Sequence, residues 1–167
     1  MKRIVALLLT FIMICFTLAA CGEDDNNGDN ANGTANVFFV EYKNTKIELG
    51  AKAESVISAL GAPSSKKEIG DCGGLGAQIK YTYPSIVIYT LKTADGETVD
   101  QVELLDDLVT SSKGVYIGNT KDDVIKSYGE PNNSSDTSLQ YINGNKYLKF
   151  GLENGKVVSI SLLRETK

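Results

Sequence analysis

The 167-residue chain carries 17 basic and 21 acidic residues, three cysteines and no histidine. Without imidazole it lacks the usual zinc ligand, the Ser-His and Cys-His nucleophile pairs and the default general base near neutral pH. Its acidic balance, with no basic cluster, argues against nucleic acid and anionic headgroups as partners.

The first twenty residues read as a secretory leader. Met1-Lys2-Arg3 supplies the charge, and an apolar run extends from Ile4 to Phe16, broken by Thr10. That run is shorter than the roughly 20 residues of a spanning helix. It ends Leu18-Ala19-Ala20-Cys21, which resembles the bacterial lipobox. Residues 1–20 are therefore expected to be a lipoprotein signal peptide, with Cys21 as the lipidation site and the protein held at the extracytoplasmic face of a bacterial cell membrane. Two acyl chains suffice for stable anchoring, at about 0.8 kcal/mol per buried methylene. Once the leader is removed, 15 basic and 21 acidic residues remain, a net charge of −6. Cys15 leaves with the leader and Cys21 is acylated, so Cys72 stands alone and no intramolecular disulfide is expected.

Residues 21–36 are expected to be the lipidated cysteine and a flexible tether. Gly22 to Asn36 reads GEDDNNGDNANGTAN, too polar to bury surface of its own. Such a coil spans about 20 Å on average. Asp25, Asn27 and Asp29 imitate the start of a calcium loop, but Asn30 and Asn36 replace its glycine and its bidentate glutamate.

Residues 37–167 then suit one domain. Val37–Tyr42 and Lys46–Leu49 flank Lys43-Asn44-Thr45 as a hairpin. A duplication organises the rest of the domain. Residues 47–63, IELGAKAESVISALGAP, align without a gap on residues 115–131, VYIGNTKDDVIKSYGEP. In the first copy Ala53, Val56, Ile57 and Leu60 make one helical face; in the second, Val124, Ile125 and Tyr128 do. Thr120 with Asp123 predicts a capped start, while Lys52 predicts a less sharp one. Gly61 and Gly129, each two residues before a proline, predict left-handed caps. Strands are expected at 77–83, 85–91 and 98–105 after the first helix, and at 138–142, 146–152 and 156–163 after the second. Asp95-Gly96, Asn143-Gly144 and Asn154-Gly155 mark tight turns. The fold class expected is α+β, with two tandem helix-plus-antiparallel-meander units, about 37–110 and 111–167, forming a curved sheet with helices on one face.

The Ile-x-Leu-Gly…Val-Ile…Gly-x-Pro signature over residues 45–165 resembles the β-lactamase-inhibitor-like fold. It is similar to small envelope lipoproteins of the SmpA/OmlA type, although those units usually begin with two helices and only one is evident per copy here. The resemblance implies a curved sheet backed by helices and often a partner protein in front. No inhibitory residue carries over.

Of the stretches with chemical potential, Asp71-Cys72-Gly73-Gly74-Leu75-Gly76 lacks a phosphate-loop context and a neighbour that would activate the thiol. Glu103, Asp106 and Asp107 read as a solvated turn between repeats, and Tyr81, Tyr83 and Tyr89 as sheet residues. In the strands, Val102/Leu104, Leu148/Phe150/Leu152 and Val158/Ile160/Leu162 form one apolar face. The opposite face carries Gln101, Glu103, Tyr147, Lys149, Ser159 and Ser161, with Ile86 and Ile88 expected among them. That mixture suits a protein-contact surface, and it also suits an ordinary solvated face. The expected protein is a non-catalytic lipoprotein without cofactor or metal, a protein-binding module of the envelope; a structural or stress-related envelope component is the alternative, and an enzyme using carboxylates or Cys72 comes third. Its partners are the membrane, through the lipid on Cys21, and an envelope or extracellular protein.

Overall fold

A computed structural model describes residues 37–71 and 76–165. The leader, Cys21, the tether and Cys72 lie outside the described residues.

The N-terminal hairpin comes first. β1 (Phe39–Tyr42) pairs antiparallel with β2 (Thr45–Glu48) through a two-residue turn in which Lys43 and Asn44 both take positive φ. The primed turn matches the natural twist of the strands. The chain then enters α1 (Ala53–Leu60), whose buried stripe is Ala53, Val56 and Leu60. Lys52 offers no side-chain cap to that helix. Four strands come next: β3 (Ser65–Asp71), β4 (Ala77–Thr82), β5 (Ile86–Thr93) and β6 (Gly96–Leu104). A short β7 (Thr110–Ser111) leads to α2 (Lys121–Tyr128). The run closes with β8 (Asn133–Ser134), β9 (Ser138–Asn143), β10 (Lys146–Glu153) and β11 (Lys156–Arg164).

These strands make two sheets. One is three-stranded, in the order β2-β1-β7. The other is eight-stranded and antiparallel, in the order β3-β4-β5-β6-β11-β10-β9-β8. The described residues are 54% strand and 13% helical. The α+β arrangement of two helix-plus-meander units is thereby overturned. A physical reason lies in lengths. Each helix has eight residues, so it is about 12 Å long at 1.5 Å per residue. Eight strands spaced 4.7–4.9 Å apart span roughly 34 Å. Two such helices cannot form a layer, and the hairpin closes much of the inner face instead. Val40, Ile47 and Leu49 join Val56, Leu60, Val124 and Tyr128 in one buried cluster with the large sheet. Three strands were not anticipated. β3 has no buried residue and a single large apolar one, Ile69, and β7 and β8 have two residues each.

Local detail nonetheless repeats across the sheet. Gly50 N donates to Val99 O and Gly118 N to Val157 O, each at 2.8 Å. Val99 N and Val157 N donate back to Ala51 O and Asn119 O. The Tyr83 hydroxyl donates to Gly61 O at 3.1 Å, and that of Tyr141 to Gly129 O at 2.8 Å. Each tyrosine thus occupies a carbonyl that its helix leaves unpaired. Gly61 (φ 77, ψ −168) and Gly129 (φ 80, ψ −166) do have positive φ, but their extended ψ places them in a region essentially reserved for glycine and not in the expected left-handed helical one. Thr120 forms the complete capping box with Asp123: the Asp123 N–H donates to Thr120 Oγ1, and Thr120 N–H to Asp123 Oδ2. The Thr120 hydroxyl, and then its backbone N–H, hold the Asp123 carboxyl below its ordinary pKa.

Candidate functional site

Register decides which side chains share a face. Ile86 pairs with Leu104, Ile88 with Val102, Val102 with Leu162, Leu162 with Leu148 and Leu148 with Tyr141. All of these are buried, so this is the inner face. Ile86 and Ile88, both fully buried, therefore belong to the core, and their expected place on a binding surface is wrong. The run Ile86-Val87-Ile88 is apolar on both faces, and strand parity could not choose between them.

A second correction concerns Val158. Leu152 pairs with Val157 and Gly151 with Ser159, so Val158 is the extra residue of a bulge. Val157 takes the inner position at 1% exposure, and Val158 stands 48% exposed. Strict alternation counted from Ile160 cannot reveal that shift.

The other expected residues do share the outer face. Gln101 and Glu103 on β6 pair with Leu163 and Ser161 on β11, which pair with Tyr147 and Lys149 on β10. Ser159 lies opposite Gly151 in the same register. Tyr89 extends this band onto β5 opposite Gln101, while Val87, opposite Glu103, is buried; Gln140 and Ile142 extend the band onto β9. Glu103 organises its centre by accepting from Tyr89 Oη at 3.3 Å and from Gln101 Nε2 at 2.7 Å. The Lys80 ammonium sits 5.5 Å from the Tyr89 ring centre. At the far side Tyr147 Oη donates to Glu165 Oε2 at 2.7 Å, a contact that raises the phenol's pKa. Both tyrosines thus have their polar ends fixed while their rings cross the face. Tyrosine contributes large contact area with little rotamer entropy.

On the inner side, beside α1, there is an open groove of about 950 Å³. Ala53, Glu54 and Ile57 of α1, with Lys52 just before it, form one wall, and Lys66, Tyr81, Asp95 and Glu97 from the strands and their turn form another. Glu97 is half-buried. Its Oε1 accepts from Tyr81 Oη at 2.9 Å and from the fully buried Thr90 Oγ1 at 2.6 Å. The Lys66 ammonium lies 5.2 Å from the Tyr81 ring centre. Its pKa is raised, first by hydrogen bonding to Tyr81 and then by the charges around it, Glu97 included. Burial raises the Tyr81 phenol, and the bond to Glu97 raises it further.

None of this groove was anticipated from the sequence. Glu97 carried no signal, because parity counted from Val102 and Leu104 faces it outward and only the extra residue Asp100 reverses that. Lys66 carried none, since β3 was unforeseen. Among the described residues, no group of three or more His, Cys, Asp or Glu side chains is placed to hold a metal. Glu103, Asp106 and Asp107 do not converge: Glu103 serves Tyr89 and Gln101, while Asp106 Oδ1 accepts from the Leu108 N–H at 3.0 Å.

No protein-family model matches the chain, and neither a curated protein nor a solved structure matches it.

Proposed function

We propose that this chain is a non-catalytic bacterial lipoprotein, anchored through Cys21, whose outer sheet face binds another protein of the envelope or its surroundings. The observation that carries this reading is the continuous band from Tyr89 through Gln101/Glu103 and Ser161/Leu163 to Tyr147/Lys149. It combines rigid aromatic rings, apolar area and fixed polar groups on adjacent strands, the mixture that protein contacts use. Both described helices and the hairpin contribute to the opposite, inner cluster. The lipobox Leu18-Ala19-Ala20-Cys21 supports the address, and the polar run 22–36 supplies reach from the bilayer.

The test has two parts. Cys21→Ala should abolish metabolic lipid labelling; normal labelling would remove the anchor from the proposal. A photoreactive residue at Tyr147 or Lys149 should give one discrete adduct on intact cells. The same residue at Lys126, exposed on α2, should not. Adducts of equal yield from all three positions, or from Lys126 alone, would reject the outer face as the contact surface.

A further inference from the structure

The groove beside α1 differs from the corresponding place in the other half of the sheet, and the difference is chemical. The matched contacts at Gly50/Val99 and Gly118/Val157, and at Tyr83/Gly61 and Tyr141/Gly129, put the two halves in correspondence. Tyr81 then corresponds to Leu139, because each lies two residues before its matched tyrosine. Thr90 pairs with Val99 and Leu152 with Val157, so Thr90 corresponds to Leu152. Glu97 corresponds to Gly155, each two residues before its matched valine. In the second half, then, leucines fill both inner positions: Leu139 is fully buried and Leu152 is 5% exposed. The backbone therefore does not require a polar group at either place. In the first half a tyrosine and a fully buried threonine stand in place of the two leucines, and a half-buried carboxylate in place of Gly155. Bringing a carboxylate toward the interior is costly unless donors meet it. Here two hydroxyls converge on one of its oxygens and hold it at the wall of an open groove.

The charges around that carboxylate are of both signs. Lys66 and Glu97 flank Tyr81, one over its ring and the other on its hydroxyl. Lys52 joins the cationic side, and Glu54 and Asp95 the anionic side. Ala53, Ile57 and Pro63 add apolar lining. A purely cationic ligand would leave the lysines unanswered, and an anion would meet three carboxylates. The groove's volume lies in the range typical of small-molecule sites.

We propose that this groove is a binding site for a small zwitterionic peptide of about two residues, its ammonium received at Glu97, its carboxylate at Lys66, and its apolar side chains laid along Ala53, Ile57 and Pro63. The site is separate from the outer sheet face and stands or falls independently of it.

The probe is leucyl-leucine with free termini, titrated into the full-length chain in detergent micelles carrying ring-labelled tyrosine. Two blocked forms accompany it: the N-acetyl peptide, which lacks the ammonium, and the peptide amide, which lacks the carboxylate. The free dipeptide should shift the Tyr81 ring signals saturably and leave those of Tyr141 unmoved, and each blocked form should bind at least about tenfold more weakly. Glu97→Gln keeps an acceptor for Tyr81 and Thr90 but removes the charge. It should erase the preference over the N-acetyl peptide while the preference over the amide survives. Lys66→Gln, on an exposed strand, should do the reverse. Absence of saturable shifts, equal binding of the amide and the free dipeptide, or preferences unchanged in both variants would overturn the proposal. If Glu97→Gln fails to fold, Lys66→Gln and the two blocked peptides still decide it.

Discussion

Replacing Gly129 by alanine isolates a backbone cost that the structure makes calculable. At φ 80 and ψ −166 the residue occupies a region that L-side chains avoid, at about 1–3 kcal/mol. A Cβ built there would meet nothing within 4 Å, so collision adds nothing. Alanine also stiffens the unfolded chain, which returns roughly 0.4–1 kcal/mol. Taking the middle of each range, the expected net loss is about 1.3 kcal/mol, against the 5–15 kcal/mol typical of a domain. Urea unfolding of the full-length chain at 25 °C should show a lower midpoint with an unchanged slope. D-alanine, introduced by peptide ligation, prefers positive φ and should be neutral or stabilising. The two enantiomers carry the same atoms, so they separate backbone strain from loss of contacts. An L-alanine variant within 0.3 kcal/mol of the parent would refute the reasoning, as would a D-alanine variant equally destabilised. Gly61, at φ 77 and also with nothing near its Cβ, should behave alike.

Leu148→Ala should cost about 2–5 kcal/mol as a core truncation, while Lys149→Glu on the outer face should stay within about 0.5 kcal/mol; the reverse order in chemical denaturation would invert the strand register. Thr120→Ala should cost about 1 kcal/mol by removing the capping box, and Lys52→Thr should recover a similar amount at the uncapped start of α1; thermal melts of both variants check the pair. Burial, then the charge of Glu130, pushes the Tyr141 phenol up to about 12, against about 10 for an unfolded tyrosine. A group whose pKa is raised on folding contributes stability that is complete below its unfolded pKa and is lost as pH rises toward the folded one. Stability should thus fall between pH 10 and 12, and ultraviolet titration of Tyr141→Phe should lack the latest-titrating phenol; its persistence would count against the assignment.

What the sequence made legible was local and periodic. The helical stripes, the Thr120–Asp123 cap and the turns at Asn143-Gly144 and Asn154-Gly155 each depend on a few neighbouring residues. The six strands expected after the two helices arise from alternation, and β10 reads cleanly because Leu148, Phe150 and Leu152 alternate with Tyr147, Lys149 and Gly151. Tertiary pairing was not legible. β3 has almost no buried residue and forms because β4 offers it an edge. β7 has two residues and exists only as a partner for Val40 and Glu41 of β1. Strands held by long-range hydrogen bonds of this kind leave no local pattern, and they shift the class from α+β to a mostly β structure. The outer-face residues were recoverable except on β5, where Ile86, Val87 and Ile88 hide the parity. The groove was hidden for a further reason: Glu97 and Thr90 look like surface residues, and Glu97 turns inward only through the bulge in β6.

The bulge in β6 joins the two candidate sites physically. Tyr89 pairs with Gln101 and Thr90 with Val99, so Asp100 is the extra residue on that strand. Without it, a strand with Val102 and Leu104 inward would place Glu97 outward, because parity would not change along its length. With it, Gln101 and Glu103 face the outer band while Val99 and Glu97 face the groove. Asp100 is fixed in turn by Arg164, whose Nε and Nη2 both donate to Asp100 Oδ1 at 3.3 Å, and Arg164 Nη2 also donates to Thr98 Oγ1. At 20% and 13% side-chain exposure this pair is far less screened than a surface ion pair. The corresponding extra residue on β11 is Val158, which has no charge to anchor. One half of the sheet thus carries a bulge locked by an ion pair and a carboxylate turned into a groove; the other carries a bulge with an exposed valine and leucines beneath it. The matched backbone and tyrosine contacts recur in both halves of the sheet, and the polar side chains of Tyr81, Thr90 and Glu97 in the first half supply the chemistry a ligand would recognise.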